Sequence, residues 1–116
     1  MSNNSRRYAG KLHYLDSEEY LDVPALIFRE SEISFTLISV IEFGRWQTLS
    51  GAVATLQPDG SYLAANVTMS NGAHSEPWSI TLCVEFEDPG EAIEISGRIS
   101  RGSEAYLFSG ELDSAA

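Results

Sequence analysis

The sequence predicts an all-β fold, an antiparallel meander of about eight strands that closes, or nearly closes, into a small barrel. Turn-forming residues recur at short, regular intervals along the 116 residues, apolar and polar residues alternate between them, and almost no segment has a helical period. The 43% of hydrophobic residues can supply a core without disulfides. We therefore expect a single β-barrel-like domain over residues 1–116.

Each predicted strand is a run of alternating or β-branched residues that ends at a turn signal. Pro24 suits the start of the second strand, because a proline donates no hydrogen bond to a ladder. The alternation is clearest in WSITLCVEF, residues 78–86, whose odd positions are all large and apolar. The predicted strands are 7–15, 25–29, 33–43, 46–56, 61–70, 77–86, 91–101 and 104–112.

Turn chemistry sets the register of the last five strands. QPDGS predicts a three-residue loop, NGAHSEP and DPGE predict longer loops, and Gly102-Ser103 predicts a two-residue hairpin turn. Counting from these turns gives the pairs Thr55–Leu63, Met69–Trp78, Phe86–Ile93, Val84–Ile95, Gly97–Phe108 and Ile99–Tyr106. All four hairpins then share one apolar face, whose predicted core residues are Leu63, Val67, Ile80, Leu82, Val84, Ile95, Ile99 and Phe108.

Large residues lie opposite small ones in this register. Phe108 lies over Gly97, and Ile95 lies beside Gly110. Such pairs relieve crowding inside a strongly curved sheet and favour a barrel. The alternative is a two-sheet sandwich, in which the first three strands form the second sheet.

The eight-strand meander and the sequence Gly44-Arg45-Trp46 resemble the calycin-type barrels, which are lipocalins, streptavidin-like proteins and related carriers of small ligands. The resemblance implies a barrel whose apolar face can enclose a ligand. In that alternative, the residues predicted to line an apolar pocket are Met69, Trp78, Tyr106 and Phe108.

The net charge of −10 excludes two classes of partner. With 17 acidic residues against 7 Lys and Arg, the chain lacks the clustered positive charge that nucleic acids and anionic membranes require. A basic protein partner is favoured instead. Cys83 is the single cysteine, and MSNNSRRY has no apolar leader, so we expect a cytoplasmic protein.

No group of residues indicates catalysis. Cys83 has no histidine in register beside it, and Glu85 and Glu94 are neighbours on a wet face where nothing desolvates either carboxylate. His13 and His74 do not have the spacing of a metal site, and no cofactor motif is present. The sequence therefore predicts neither an enzyme nor a metal site nor a cofactor.

One face of the hairpin 46–70 carries no charge, unlike the wet faces of later strands. We predict that this neutral face is an exposed protein interface, with homodimer formation as one version, unless the first three strands cover it. The residues of this face that are predicted to form the interface are Trp46, Ala52, Ala54, Tyr62 and Ala64. The predicted function is a small acidic protein-binding factor, such as an inhibitor or immunity-like protein, and the alternative is a carrier of a small apolar ligand.

Overall fold

The computed structural model describes residues 6–15, 19–29, 31–41, 44–48, 51–86 and 92–115. These residues form strands and turns, and no helix occurs among them. The predicted ends of strands at 42–43 and 91, and the DPGE turn, lie outside the described residues. The strands are β1 (Arg6–Tyr14), β2 (Tyr20–Arg29), β3 (Glu32–Ile41), β4 (Gly44–Thr48), β5 (Ala52–Leu56), β6 (Tyr62–Ser70), β7 (Ser75–Phe86), β8 (Ala92–Arg101) and β9 (Glu104–Ser114).

The sheet closes on itself, so the predicted barrel is confirmed and the sandwich is not. All pairings are antiparallel, and β9 returns to pair with β1 through His13 and Ser109, among others. Both β4 and β5 lie between β3 and β6, so the nine strands occupy eight positions around the barrel. Each described strand therefore pairs with a neighbour on both of its sides.

The second strand begins earlier than predicted, at Tyr20. Pro24 lies inside β2, where the register with β3 shifts between Asp22 and Ala25. A register shift of this kind leaves one residue unpaired in the ladder. Pro24, which has no backbone N–H, can therefore lie inside β2 instead of at its start.

The predicted register of β7, β8 and β9 is confirmed. Val84 lies opposite Ile95, Gly97 lies opposite both Leu82 and Phe108, and Ile99 lies opposite Tyr106. The core residues Ile80, Leu82, Ile95, Ile99 and Phe108 are buried as predicted, together with Val67 on β6, and Val84 packs against this core while partly exposed.

The predicted register of β6 with β7 is wrong. Trp78 lies opposite Val67 rather than Met69, because the β6–β7 turn places Ser70 opposite Ser75, and the ladder shifts once more between Ala64 and Val67. Asn66 has a φ of 57°, in the left-handed region that asparagine tolerates and that suits a β-bulge. The Thr55–Leu63 pair is confirmed, but Leu63 points outward and is only partly buried.

The prediction that the neutral face is exposed is wrong as well. Its five side chains are buried in the core of the closed barrel: Trp46, Ala52, Ala54, Tyr62 and Ala64. Val53 lies between Ala52 and Ala54 on β5, and its side chain points outward and is 48% exposed. The face carries no charge because it points inward, and the first three strands complete the barrel around it.

Candidate functional site

Three parallel rows of side chains cross the outer face of β7, β8 and β9. The middle row is Cys83, Ser96 and Ser109, which lie opposite one another on adjacent strands. Their small side chains form the floor of an open groove of about 350 Å³. Longer side chains on one side of this row, among them Arg98 and Leu107, line the groove with it, so the groove runs across the strands.

One wall of the groove ends in exposed apolar side chains. Thr81, Arg98 and Leu107 lie opposite one another across the three strands. The backbone N–H of Leu15 donates to the carbonyl oxygen of Leu107 at 3.0 Å, which holds Leu15 beside the groove. Leu15 is 58% exposed and Leu107 48% exposed, so this end offers an apolar contact.

A row of like charges, which we call the glutamate row, lies on the other side of the three small side chains, outside this groove. Glu85 lies opposite Glu94, as the sequence predicted, and Glu94 lies opposite Glu111. All three are exposed, and none forms an ion pair within the described residues. A smaller groove of about 140 Å³ separates Glu85 and Glu94 from Ser109. Like charges directly opposite one another destabilise a sheet, so this face gains from a cationic partner.

We expect Glu94→Lys to stabilise the protein, because it replaces two repulsive cross-strand pairs by two attractive ones. The free energy of unfolding, measured with urea, should rise by about 1 kcal/mol. Glu32→Lys is the matched control, since it makes the same change in net charge opposite Arg29. An equal gain in both variants would show that net charge, and not the glutamate row, determines the effect.

Among the described residues, no histidine lies near Cys83. Its thiol is free and exposed. His13 lies opposite Ser109 on β1, three strand spacings or about 14 Å from Cys83, which is too far for proton transfer. Within the described residues, no group of three His, Cys, Asp or Glu side chains is arranged to hold a metal ion.

At the end of the barrel formed by the β8–β9 hairpin, Arg101 covers two tryptophans. The guanidinium carbon lies 5.2 Å from the ring centroid of Trp46 and 4.6 Å from that of Trp78. Glu76 and Glu104 hold the guanidinium through ion pairs of 3.1 Å and 2.6 Å. The Arg101 side chain is 21% exposed, so it lies at the boundary between the interior and solvent.

Hydrogen bonds fix the charge states of this group. Glu104 accepts hydrogen bonds from Arg101 and from the hydroxyl of Tyr106, which lower the pKa of its carboxyl below the usual 4.5. The same hydrogen bond with Glu104 raises the pKa of Arg101. Arg101 therefore stays charged above the two indole rings, where a cation is attracted to the ring faces.

The four residues predicted to line a pocket all belong to the barrel interior. Met69, Trp78 and Phe108 are buried, and Tyr106 packs against the core while partly exposed. That they bind a ligand stays a prediction.

Sequence reasoning missed Arg101 and the wall formed by Leu15 and Leu107. Arg101 continues the inward-facing row of β8 after Ile95 and Ile99. A charged residue at an inward-facing position could have indicated that this end of the barrel is unusual. No sequence pattern indicated that Leu15 lines the groove, because its position depends on the closure of β1 against β9.

No known protein family, curated protein or solved structure matches the chain. The described residues include no helix long and apolar enough to cross a membrane. The resemblance to calycin-type barrels therefore remains a comparison of barrel architecture alone.

Proposed function

We propose that the protein is a non-enzymatic acidic binding protein, of the inhibitor or immunity-like kind, that binds a basic protein partner in the cytoplasm. The observation that supports this most is the glutamate row beside a groove that ends in Leu15 and Leu107. The face combines negative charge with an exposed apolar contact, as protein-binding surfaces do.

The energetics favour a partner that presents several cations at once. Glu85, Glu94 and Glu111 repel one another in the free protein, so Lys or Arg side chains placed on them gain the attraction and relieve the repulsion. The net charge of −10 adds long-range steering of a basic partner. An apolar side chain of the partner fits between Leu15 and Leu107, where it removes apolar surface from water.

The buried neutral face takes no part in this proposal. Trp46, Ala52, Ala54, Tyr62 and Ala64 face the interior, so a homodimer built on them would require the barrel to open. The outer face of β7–β9 is the surface we propose in its place.

A peptide of alternating Lys and Leu residues tests the proposal by fluorescence anisotropy. We expect it to bind the native protein and to bind the triple variant Glu85→Gln, Glu94→Gln, Glu111→Gln at least about tenfold more weakly. Binding should also weaken as salt rises from about 0.05 M to 0.5 M, because the charges are exposed.

The matched control is the variant Asp22→Asn, Glu32→Gln, Asp59→Asn, which makes the same charge change on other parts of the barrel. It should bind within about twofold of the native protein. Equal weakening in the two triple variants would mean that overall charge alone attracts the peptide, and the proposed site would be wrong.

A further inference from the structure

The barrel interior contains polar atoms without partners. The indole Nε1 atoms of Trp46 and Trp78 and the hydroxyl oxygen of Tyr8 are shielded from solvent and find no hydrogen-bond partner among the described residues. Buried donors are nearly always paired in folded proteins, because an unpaired one loses its hydration without compensation. The two indoles are also neighbours, with ring centroids 5.4 Å apart.

Arg101 does not satisfy these donors. Its guanidinium lies over the faces of both rings, whereas an indole N–H points outward in the plane of its ring. A guanidinium also carries donors only, so it offers no acceptor to another N–H group. No described residue supplies an acceptor to the two indole N–H groups, so a molecule that binds at this end of the barrel can supply it.

The surroundings favour a neutral acceptor over an anion. Met69 and Phe108 contribute apolar surface to the interior, where a charged group is expensive to bury. Glu76 and Glu104 already occupy the guanidinium of Arg101, so a carboxylate ligand would meet two carboxylates in competition for it. A carbonyl or ether oxygen on an apolar body avoids both costs.

We propose that the end of the barrel at Trp46 and Trp78 binds a small, neutral, apolar molecule through a carbonyl or ether oxygen that accepts hydrogen bonds from the two indole N–H groups. Arg101 closes this site. It precedes the two-residue turn at 102–103 of the β8–β9 hairpin, and its partly exposed side chain lies over the faces of both indole rings. The site is independent of the outer face of β7–β9, so either proposal can fail alone.

Nuclear magnetic resonance of the full chain tests this directly, because the chain contains two tryptophans and both lie at the site. Cyclohexanone is the probe, and methylcyclohexane, of similar shape but without an acceptor, is the matched control. We expect cyclohexanone to shift both indole N–H proton signals downfield in a saturable manner, and methylcyclohexane to leave them in place.

Variants separate the donors from the closing side chain. Trp78→Phe keeps an aromatic ring and loses one donor, so cyclohexanone should bind about three- to tenfold more weakly, and Trp46→Phe serves if that variant does not fold. Arg101→Met removes the group that must move aside, so binding should tighten. Arg7→Met, at an exposed position of β1 outside both proposed sites, should change nothing.

The proposal is wrong if neither probe shifts the indole signals, or if both shift them equally. It is also wrong if the indole protons show contacts to an internal water that cyclohexanone does not displace. Unchanged affinity in Arg101→Met would overturn the role given to Arg101.

Discussion

Ala54→Glu is expected to abolish the folded state or leave little of it. Ala54 is 0% exposed inside the barrel and lies opposite Ile33 on the adjacent strand. A carboxylate placed there has no partner and loses its hydration, which costs at least about 3 kcal/mol out of the roughly 5–15 kcal/mol that holds a domain folded. The measurement is urea unfolding followed by far-ultraviolet circular dichroism.

Val53→Glu is the control for this variant. Val53 precedes Ala54 on β5 and is 48% exposed, so the same new charge lies in water and should change the free energy of unfolding by less than about 0.5 kcal/mol. If Ala54→Glu were as stable as Val53→Glu, the neutral face would be on the surface and the closure of the barrel across β5 would be wrong.

Gly97→Ala is expected to destabilise the protein by about 1–3 kcal/mol, because the added methyl group has no space. A Cβ at this position would overlap the backbone carbonyl oxygen of Thr81 and lie 2.9 Å from Cζ of Phe108. The ring of Phe108 covers Gly97, so the strands around Gly97 must move to make room for the methyl group. Thermal and urea unfolding should both show the loss.

Gly51→Ala provides the matched comparison, since a Cβ there meets no atom within 4 Å. That variant should be neutral or slightly stabilising, because alanine restricts the unfolded chain more than glycine does. Equal stability of the two alanine variants would contradict the tight packing of Phe108 on Gly97.

The register of β7, β8 and β9 was predictable because strong local signals agree. Ile93, Ile95 and Ile99 alternate with polar residues, and the two-residue turn before Glu104 leaves one way to pair the strands. Since a slip of one residue would turn every isoleucine toward water, the hydrophobic effect and the turn chemistry select the same register.

The register of β6 was not predictable in the same way. Tyr62 and Leu63 are both apolar, and the next two residues are both alanine, so the pattern allows either face to point inward. Asn66 then takes up a left-handed conformation, and the bulge shifts the pairing with β7. An asparagine within a strand was the only sign of the bulge.

The neutral face shows how a correct observation can support the wrong conclusion. Its lack of charge suggested an interface, yet the same property is required of any face that a closed barrel buries. The neutral face is buried because β1, β2 and β3 complete the barrel. That closure requires pairings between separate parts of the chain, such as Ile33 with Ala54. Turn chemistry does not specify such pairings, whereas the adjacent Glu85 and Glu94 followed from one hairpin.

Amide chemical-shift mapping tests the central claim, that the outer face of β7–β9 binds a basic partner. With the alternating Lys and Leu peptide added to the native protein, the largest shifts should occur at Cys83, Ser96 and Ser109, on the floor of the groove. Val53 and Thr55, exposed on β5 outside the groove, should not move. Shifts spread evenly over the outer faces of all strands, or concentrated at Val53 and Thr55, would contradict the account.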